Sequence, residues 1–386
     1  MNITQEDIRS RIEINSISGN EIEVNMGPHH PSTHGVIRFI LHLDGEIVVR
    51  ATPDVGYLHR SIEKIAEKLP YSAFMPYTDR VDYVAPVNCN VGYALAVETM
   101  GNLEVPERAT WLRMLGMELT RIASHLLGVG ALTVDLGAYT PFVHALRERE
   151  HIFDLMEILT GTRMNNNYVR LGGVCQNVND DFFEKLSKYL DHFVLFMDEF
   201  ERLIGLNKIF IERLKGIGVV KAEEAIHFSL SGPNLRGSGV DIDLRKTDNY
   251  CFYDQLDFNV VVGKGKFGAV GDSYDRYDVR IEEMKQSEKL LRQILSRIKD
   301  GEIQAKVPKK LILPEGELYH RTEAPRGELG FHIISDGKNL TPYRVKIRTG
   351  SFTAMTTLSD KLKGMMVADV IAYFASLDVV APEVDR

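Results

Sequence analysis

The sequence predicts a mainly helical α+β fold, with a small antiparallel sheet at the amino terminus and a central bundle of long helices. Three observations carry this. The first 55 residues alternate apolar and polar side chains. From Gly56 the period becomes helical. Within 107–131, Leu112, Leu115, Leu119, Ile122 and Leu126 fall on one stripe. Alternation buries one face of a strand, and spacing of three and four buries one face of a helix.

Ile12, Ile14 and Ile17, then Ile22, Val24 and Met26, mark the first strands. Segments 36–43 and 46–52 flank Asp44-Gly45, a strong two-residue hairpin signal. The helix over 107–131 follows Pro106, which suits a first turn. A second helix spans 141–159 and stops at Gly161. A third is capped at Asp180-Asp181 and reaches about 205. Long helices with short connections make a bundle. Segment 232–271, rich in Gly and Asp, reads as loops with short strands. A long helix over 274–299 follows, then strands at 330–335 and 343–347 around an Asp336-Gly337 turn, and one closing helix over 351–376. This divides the chain into a β-rich lobe (1–55), a helical core (56–230) and a loop, helix and small-sheet region packed on the core (231–386).

The 386 residues carry a net charge of −8. That argues against nucleic acid as a partner, because phosphate binding needs a basic face. Cys89, Cys175 and Cys251 are far apart and form no CxxC pair. Neither a disulfide framework nor a tetrahedral thiolate site is expected, and an iron–sulfur cluster held by this chain alone would need four thiolates. A reducing compartment fits. The polar, charged start over 1–11 gives no signal peptide. The nearest approach to a membrane span, 122–143, is interrupted by Ser124, His125, Asp135, Gly137 and Pro141, so it reads as a very buried helix plus turn.

Four constellations are candidates for chemistry. Gly27 to Gly35 holds His29, His30 and His34, three of the chain's 12 histidines, on a turn between strands. It is either a His-rich surface turn or a metal or catalytic site. Thr78-Asp79-Arg80-Val81-Asp82-Tyr83 alternates charge with an aromatic, ordinarily the mark of a solvated helix face. Asp135 lies inside the most apolar stretch, 126–136. It is either a cap at the surface or a buried carboxylate tied to a histidine or arginine. Gly263-Lys264-Gly265-Lys266-Phe267-Gly268 follows three valines and matches GxGxxG, but Ala269-Val270-Gly271-Asp272 opens no helix. A dinucleotide fold needs one there, so a flexible loop is expected instead.

Together these segments resemble one family: the quinone-site (D-type) subunit of respiratory complex I, the proton-pumping NADH:quinone oxidoreductase. The resemblance is carried by Met26 through Val36, by Gly56-Tyr57-Leu58-His59-Arg60 and by Asp79 through Tyr83. It continues through Glu118 to Leu126, Asp135 to Ala138, Tyr168 to Gly173 and Leu230 to Gly239. Asp272 to Tyr277, Glu323 to Glu328 and the terminal Glu383-Val384-Asp385-Arg386 complete it. The segments run in the family's order over essentially the whole chain.

The resemblance implies a fold like the large subunits of nickel–iron hydrogenases, whose two CxxC pairs this chain lacks, so no metal is expected on it. The former metal cavity would hold a quinone headgroup. The resemblance makes His34 and Tyr83 the headgroup partners and Asp135 the carboxylate paired with that histidine. His30 and Arg60 would line the site. Arg80 and Asn165 would lie near a 4Fe-4S cluster on an adjacent subunit. Where many relatives carry a histidine, this chain reads Arg163-Met164-Asn165. Asn165 cannot titrate, so a pH-dependent cluster potential through this position is not expected. The loop 263–271 departs by its length. Implied partners are the complex I subunits B, C, I and H, the last of them in the membrane. The chain would be peripheral on the cytoplasmic face of the inner membrane, quinone would be its substrate, and NADH would be used elsewhere in the complex. A related complex fed by ferredoxin would carry the same site. A scaffold subunit without chemistry would not need His34, Tyr83 and Asp135.

Overall fold

In the computed structural model, the described residues are 21–30 and 35–386, with the backbone of 14–16. Strands β1 (Ile14–Ser16), β2 (Glu21–Met26), β3 (Arg38–Asp44) and β4 (Ile47–Asp54) form an antiparallel sheet in sequential order. The Asp44-Gly45 hairpin is in place: Asp44 pairs with Ile47, and Gly45 has φ +60°. Alternation sends Phe39 and Leu41 inward, and a bulge at Val49 puts Val48 and Ala51 on the same face.

Helices α1 (Ile62–Ala66), α2 (Tyr71–Thr78), α3 (Pro86–Gly101), α4 (Glu107–Asp135) and α5 (Tyr139–Thr160) follow. The buried stripe of α4 continues one turn past the expected end, because nothing from Leu126 to Val134 breaks a helix. Pro106 serves as its N-cap. Gly161, at φ +83°, ends α5 in the left-handed conformation that glycine adopts without strain. The short pair β5 (Val169–Arg170) and β6 (Gly173–Val174) leads to α6 (Asp180–Phe200), which runs on as a π-helical turn over Glu201–Gly205. Its cap is Asn179, whose side chain accepts from the Phe182 N–H, and not the expected Asp180-Asp181. Those two acids occupy the first turn, where they face the positive helix end.

Segment 232–271 holds no strand. After α7 (Lys208–Leu214) and α8 (Ala222–His227) come α9 (Gly232–Gly237) and α10 (Leu244–Thr247), then a 3-10 turn over Tyr253–Gln255 and irregular chain through 260–262. Helix α11 (Ser273–Arg297) matches its expectation. The second sheet has a strand that the sequence pattern did not reveal: β7 (Gly316–Ala324) pairs with β8 (Gly327–Ser335), which pairs with β9 (Arg344–Arg348). The expected closing helix over 351–376 is broken into α12 (Gly350–Met355), α13 (Leu358–Lys361) and α14 (Val367–Leu377), and a further short helix, α15 (Ala381–Asp385), follows it. Gly364 at φ +85° marks one break, and Asp378 at φ +55° caps the end of α14.

Helix α4 is the axis of the bundle and packs against α3, α5, α11 and α14. One apolar core surrounds it. A second joins the inner face of β2–β4 to α12–α14, for example through the edge-to-face pair Phe39–Phe374 at 4.9 Å. No helix among the described residues is long and apolar enough to cross a membrane.

Candidate functional site

The turn between α2 and α3 is built by hydrogen bonds from Arg80 N to Tyr77 O and from Val81 N to Thr78 O, both at 3.1 Å. Asp82 caps its own turn by accepting the Val84 N–H at 3.0 Å. Asp79, Val81 and Asp82 are thereby turned fully inward, while Arg80 and Tyr83 point out. This is not a solvated helix face. Asp79 accepts from Asn90 Nδ2 at 2.6 Å and from the Asn167 N–H at 3.1 Å. Burial outweighs these bonds and pushes its carboxyl up to about 6.

Beneath Tyr83 lies a buried charge cluster. Arg326 donates to Asp82 Oδ2 at 2.7 Å, to Ser124 Oγ at 3.1 Å, to Asp378 O at 3.0 Å and to Asp378 Oδ1 at 3.4 Å. Arg280 Nε stands 3.7 Å from Asp378 Oδ2, and neither atom has a hydrogen-bond partner. Asp378 reaches this position because α4 has a glycine beneath it: a Cβ on Gly128 would meet Asp378 Oδ1 at 2.5 Å. Glu383 bonds the Ser351 hydroxyl. Burial, with Asp82 adding, pushes Glu383 up to about 8, and Arg326 opposes. Tyr83 is 38% exposed. Its phenol is also raised, by desolvation first, with Arg326 opposing and Asp82 adding.

Arg60 and Arg80 are brought together. Arg60 Nη2 donates to the Arg80 carbonyl at 2.8 Å, and both line a pocket of about 490 Å³ with Ile62, Ile65, Pro76 and Tyr77. The loop carrying Arg60 is held by the chain end. Asp385 accepts the Gly56 and Leu58 N–H groups, each at 2.7 Å, and His59 Nδ1 contacts the Asp385 carbonyl at 2.8 Å.

His34 lies outside the described residues. Its neighbour Gly35 packs on the same carboxy-terminal segment, since a Cβ there would stand 3.0 Å from the Ala381 Cβ. Gly27, at φ +106°, opens this turn where a Cβ would meet the Ile37 carbonyl at 2.3 Å. His30 is half-buried. Asp135 lies inside the apolar stretch in sequence, but it is the last residue of α4 and only partly buried. It lies eleven positions beyond Ser124, about 16 Å along the helix axis from the level of the Arg326 cluster. Asn165 is half-buried, with φ +52°. Arg163 beside it turns outward to Asp154 and Glu150.

The GxGxxG segment is occupied by the protein itself. Asp275 accepts the Gly265 N–H at 2.9 Å and the Gly271 N–H at 3.2 Å, and a Cβ on Gly268 would meet Asp272 Oδ2 at 2.3 Å. The Gly265 amide, which a phosphate on this motif would need, is taken by an internal carboxylate.

Arg326, Asp378 and Glu383 were not singled out from sequence. Their partners lie up to hundreds of positions away, and only the family segments containing Arg326 and Glu383 pointed at them.

Comparison with known proteins adds the following. A family model described as respiratory-chain NADH dehydrogenase, 49 Kd subunit, matches residues 135–313 and 305–386. The chain is 54% identical to the second D-type subunit of NADH-quinone oxidoreductase from Anaeromyxobacter dehalogenans (strain 2CP-C), over 95% of this chain and 96% of that protein. It is 53% identical to the second D-type subunit of the Sorangium cellulosum (strain So ce56) oxidoreductase, over 95% of each. With the D-type subunit of the Bacillus mycoides (strain KBAB4) oxidoreductase it shares 47% identity, over 95% of this chain and 98% of the relative.

Proposed function

The chain belongs to the 49 kDa subunit family of respiratory-chain NADH dehydrogenase, and on that premise we propose that it forms the quinone headgroup site of the complex and supplies protons for quinone reduction. As a member of that family it is a component of an oxidoreductase, complex I. The observation that supports the finer reading is Tyr83: a partly exposed phenol next in sequence to buried Asp82 and within the field of Arg326, Asp82 and Asp378.

A quinone presents two carbonyl acceptors, so its site needs two donors. Tyr83 is one. Its raised pKa keeps the phenol protonated at neutral pH, ready to donate. As negative charge arrives on the headgroup the quinone becomes the stronger base, and the phenol proton moves downhill. The phenolate left behind is stabilised by the Arg326 guanidinium, the largest favourable charge on it. Glu383, held protonated in the same cluster, is an acid from which the site can be recharged. His34 is the second donor and Asp135 its orienting carboxylate, with His30 lining the turn.

Electrons come from a 4Fe-4S cluster on the adjacent subunit, facing Arg80 and Asn165, while Arg60, bonded to the Arg80 carbonyl, lines the quinone site. This chain's donor set fits that division. Its three cysteines are too few for a cluster, and burial pushes the Cys89 thiol well up and Cys251 to about 12, the opposite of a thiolate ligand. The hydrogenase-like architecture belongs to the same proposal, with quinone in place of the metal. Subunits B, C, I and H are the neighbours, quinone enters from the membrane side, and the chain sits peripherally on the cytoplasmic face.

A photoreactive short-tail quinone tests the location. In the assembled complex it labels the peptide holding Tyr83 or the turn 27–35, and excess native quinone suppresses the label. Labelling of this chain only elsewhere contradicts the proposal.

A further inference from the structure

We propose that Glu148, His151 and His192 form a divalent-metal site of the zinc class that clamps α5 to α6, with a fourth position open to water. The expectation from sequence was that this chain holds no metal, but the three residues are well separated from the cysteines on which that expectation rested.

Glu148 and His151 are three apart on α5 and so share a face, and His192 reaches them from α6. One ligand atom from each lies within 4.8 Å of the other two. The Glu148 side chain is 0% exposed. Its Oε1 accepts from Arg147 Nε at 3.0 Å. Its Oε2 stands 2.9 Å from His192 Nε2 yet makes no hydrogen bond. A carboxylate oxygen and an imidazole nitrogen that approach to 2.9 Å without hydrogen-bond geometry are disposed as two ligands of one cation can be. Metal bonds of about 2.0–2.1 Å at tetrahedral angles put neighbouring donors roughly 3.3 Å apart. The two imidazoles stand edge-to-face at 5.6 Å and 81°, so both can turn a nitrogen to a common point.

The cavity beside them, about 530 Å³, is also lined by Asp154 and Tyr189 and leaves room for a water ligand. Lys185 and Lys188 line it too, but they pair with Asp181 at 2.7 Å and Glu184 at 2.6 Å, so their charge is locally balanced. Two imidazoles with one carboxylate favour zinc over magnesium or calcium, which prefer all-oxygen sites.

The test uses the assembled complex, dialysed against micromolar zinc chloride and then metal-free buffer. Wild type should retain one more zinc per copy of this chain than His151→Ala or His192→Ala, both changes at exposed positions. Glu148→Gln should weaken retention by more than the roughly tenfold that a supporting residue costs. Equal zinc in wild type and both histidine variants overturns the proposal and leaves a simple histidine–carboxylate pair. If the variants fail to assemble, zinc-edge X-ray absorption of the wild type decides. Two imidazole nitrogens with oxygen support the site, and an all-oxygen or sulfur shell overturns it.

Discussion

Two clusters of buried charge meet on α11, at Arg280 and Glu283, and they are built to different standards. In the first, Arg121, Arg236 and Arg245 face Glu118, Asp243, Glu283 and Glu323. Every carboxylate oxygen there is hydrogen-bonded: Arg236 to Glu283 at 2.5 and 2.8 Å and to Glu323 at 2.8 Å, and Arg245 to Asp243 at 2.7 and 3.0 Å. Glu118 also takes Ser287 and Tyr253 hydroxyls, each at 2.6 Å, Glu283 takes His125, and Glu323 takes the Leu244 N–H. In the second, Arg326 and Arg280 face Asp82, Asp378 and Glu383, and Asp378 Oδ2 has no hydrogen bond. The protonation states differ accordingly. Arg236 and His125 hold Glu283 far below the ordinary carboxylate range against its burial, whereas Glu383 is held far above it. A network in which every carboxylate oxygen is bonded fixes structure. An under-bonded one with a stored proton, placed under an exposed phenol, is suited to chemistry.

The comparison breaks most forcefully at its arginines. Arg236→Met strands Glu283 and Glu323, and Arg326→Met strands Asp82 and Asp378. Removing one partner of a buried ion pair costs about 3–5 kcal/mol. Both variants should therefore deplete assembled complex in membranes, measured by native gel and immunoblot. Normal assembly of Arg236→Met would show that the first cluster is not the structural one.

The two glutamates sharpen the contrast through opposite signs. The folded pKa of Glu383 lies above its unfolded value of 4.5, so its proton stabilises the fold at low pH. That contribution is lost as pH rises from 4.5 to 8. Glu383→Gln mimics the neutral acid, so it should flatten this decline, matching wild type near pH 4.5 and exceeding its stability at pH 7. The folded pKa of Glu283 is depressed, so its charge stabilises above 4.5 and is lost only as pH falls. Glu283→Gln should destabilise at pH 7. Thermal unfolding between pH 5 and 9 reads both, and equal effects of the two changes at pH 7 would erase the distinction.

Local signals in the sequence found local structure. Asp44-Gly45 fixed a hairpin, and the Leu112–Leu126 stripe located the central helix. Pairings that close over long distances left no such trace. Nothing near Arg326 announces Asp82, 244 positions away. The alternation of Asp79, Arg80, Asp82 and Tyr83 looked like a wet helix face because inward acids show only once their partners are placed. Tyr83, Arg60 and Arg80 came from family segments, and the structure sets the two arginines side by side. The helical Glu148-x-x-His151 spacing was readable, but it gained meaning only when α6 supplied His192.

The most direct measurement is Tyr83→Phe in the membrane-embedded complex. Quinone reduction is compared with electron transfer to an artificial acceptor that bypasses the quinone. Tyr83 is half-exposed, so the change should alter stability by no more than about 0.5 kcal/mol. The account predicts that quinone reduction falls by about 100-fold or more, the range of a lost proton donor, while the bypass rate holds. Survival of both rates would contradict it and leave Tyr83 a structural residue.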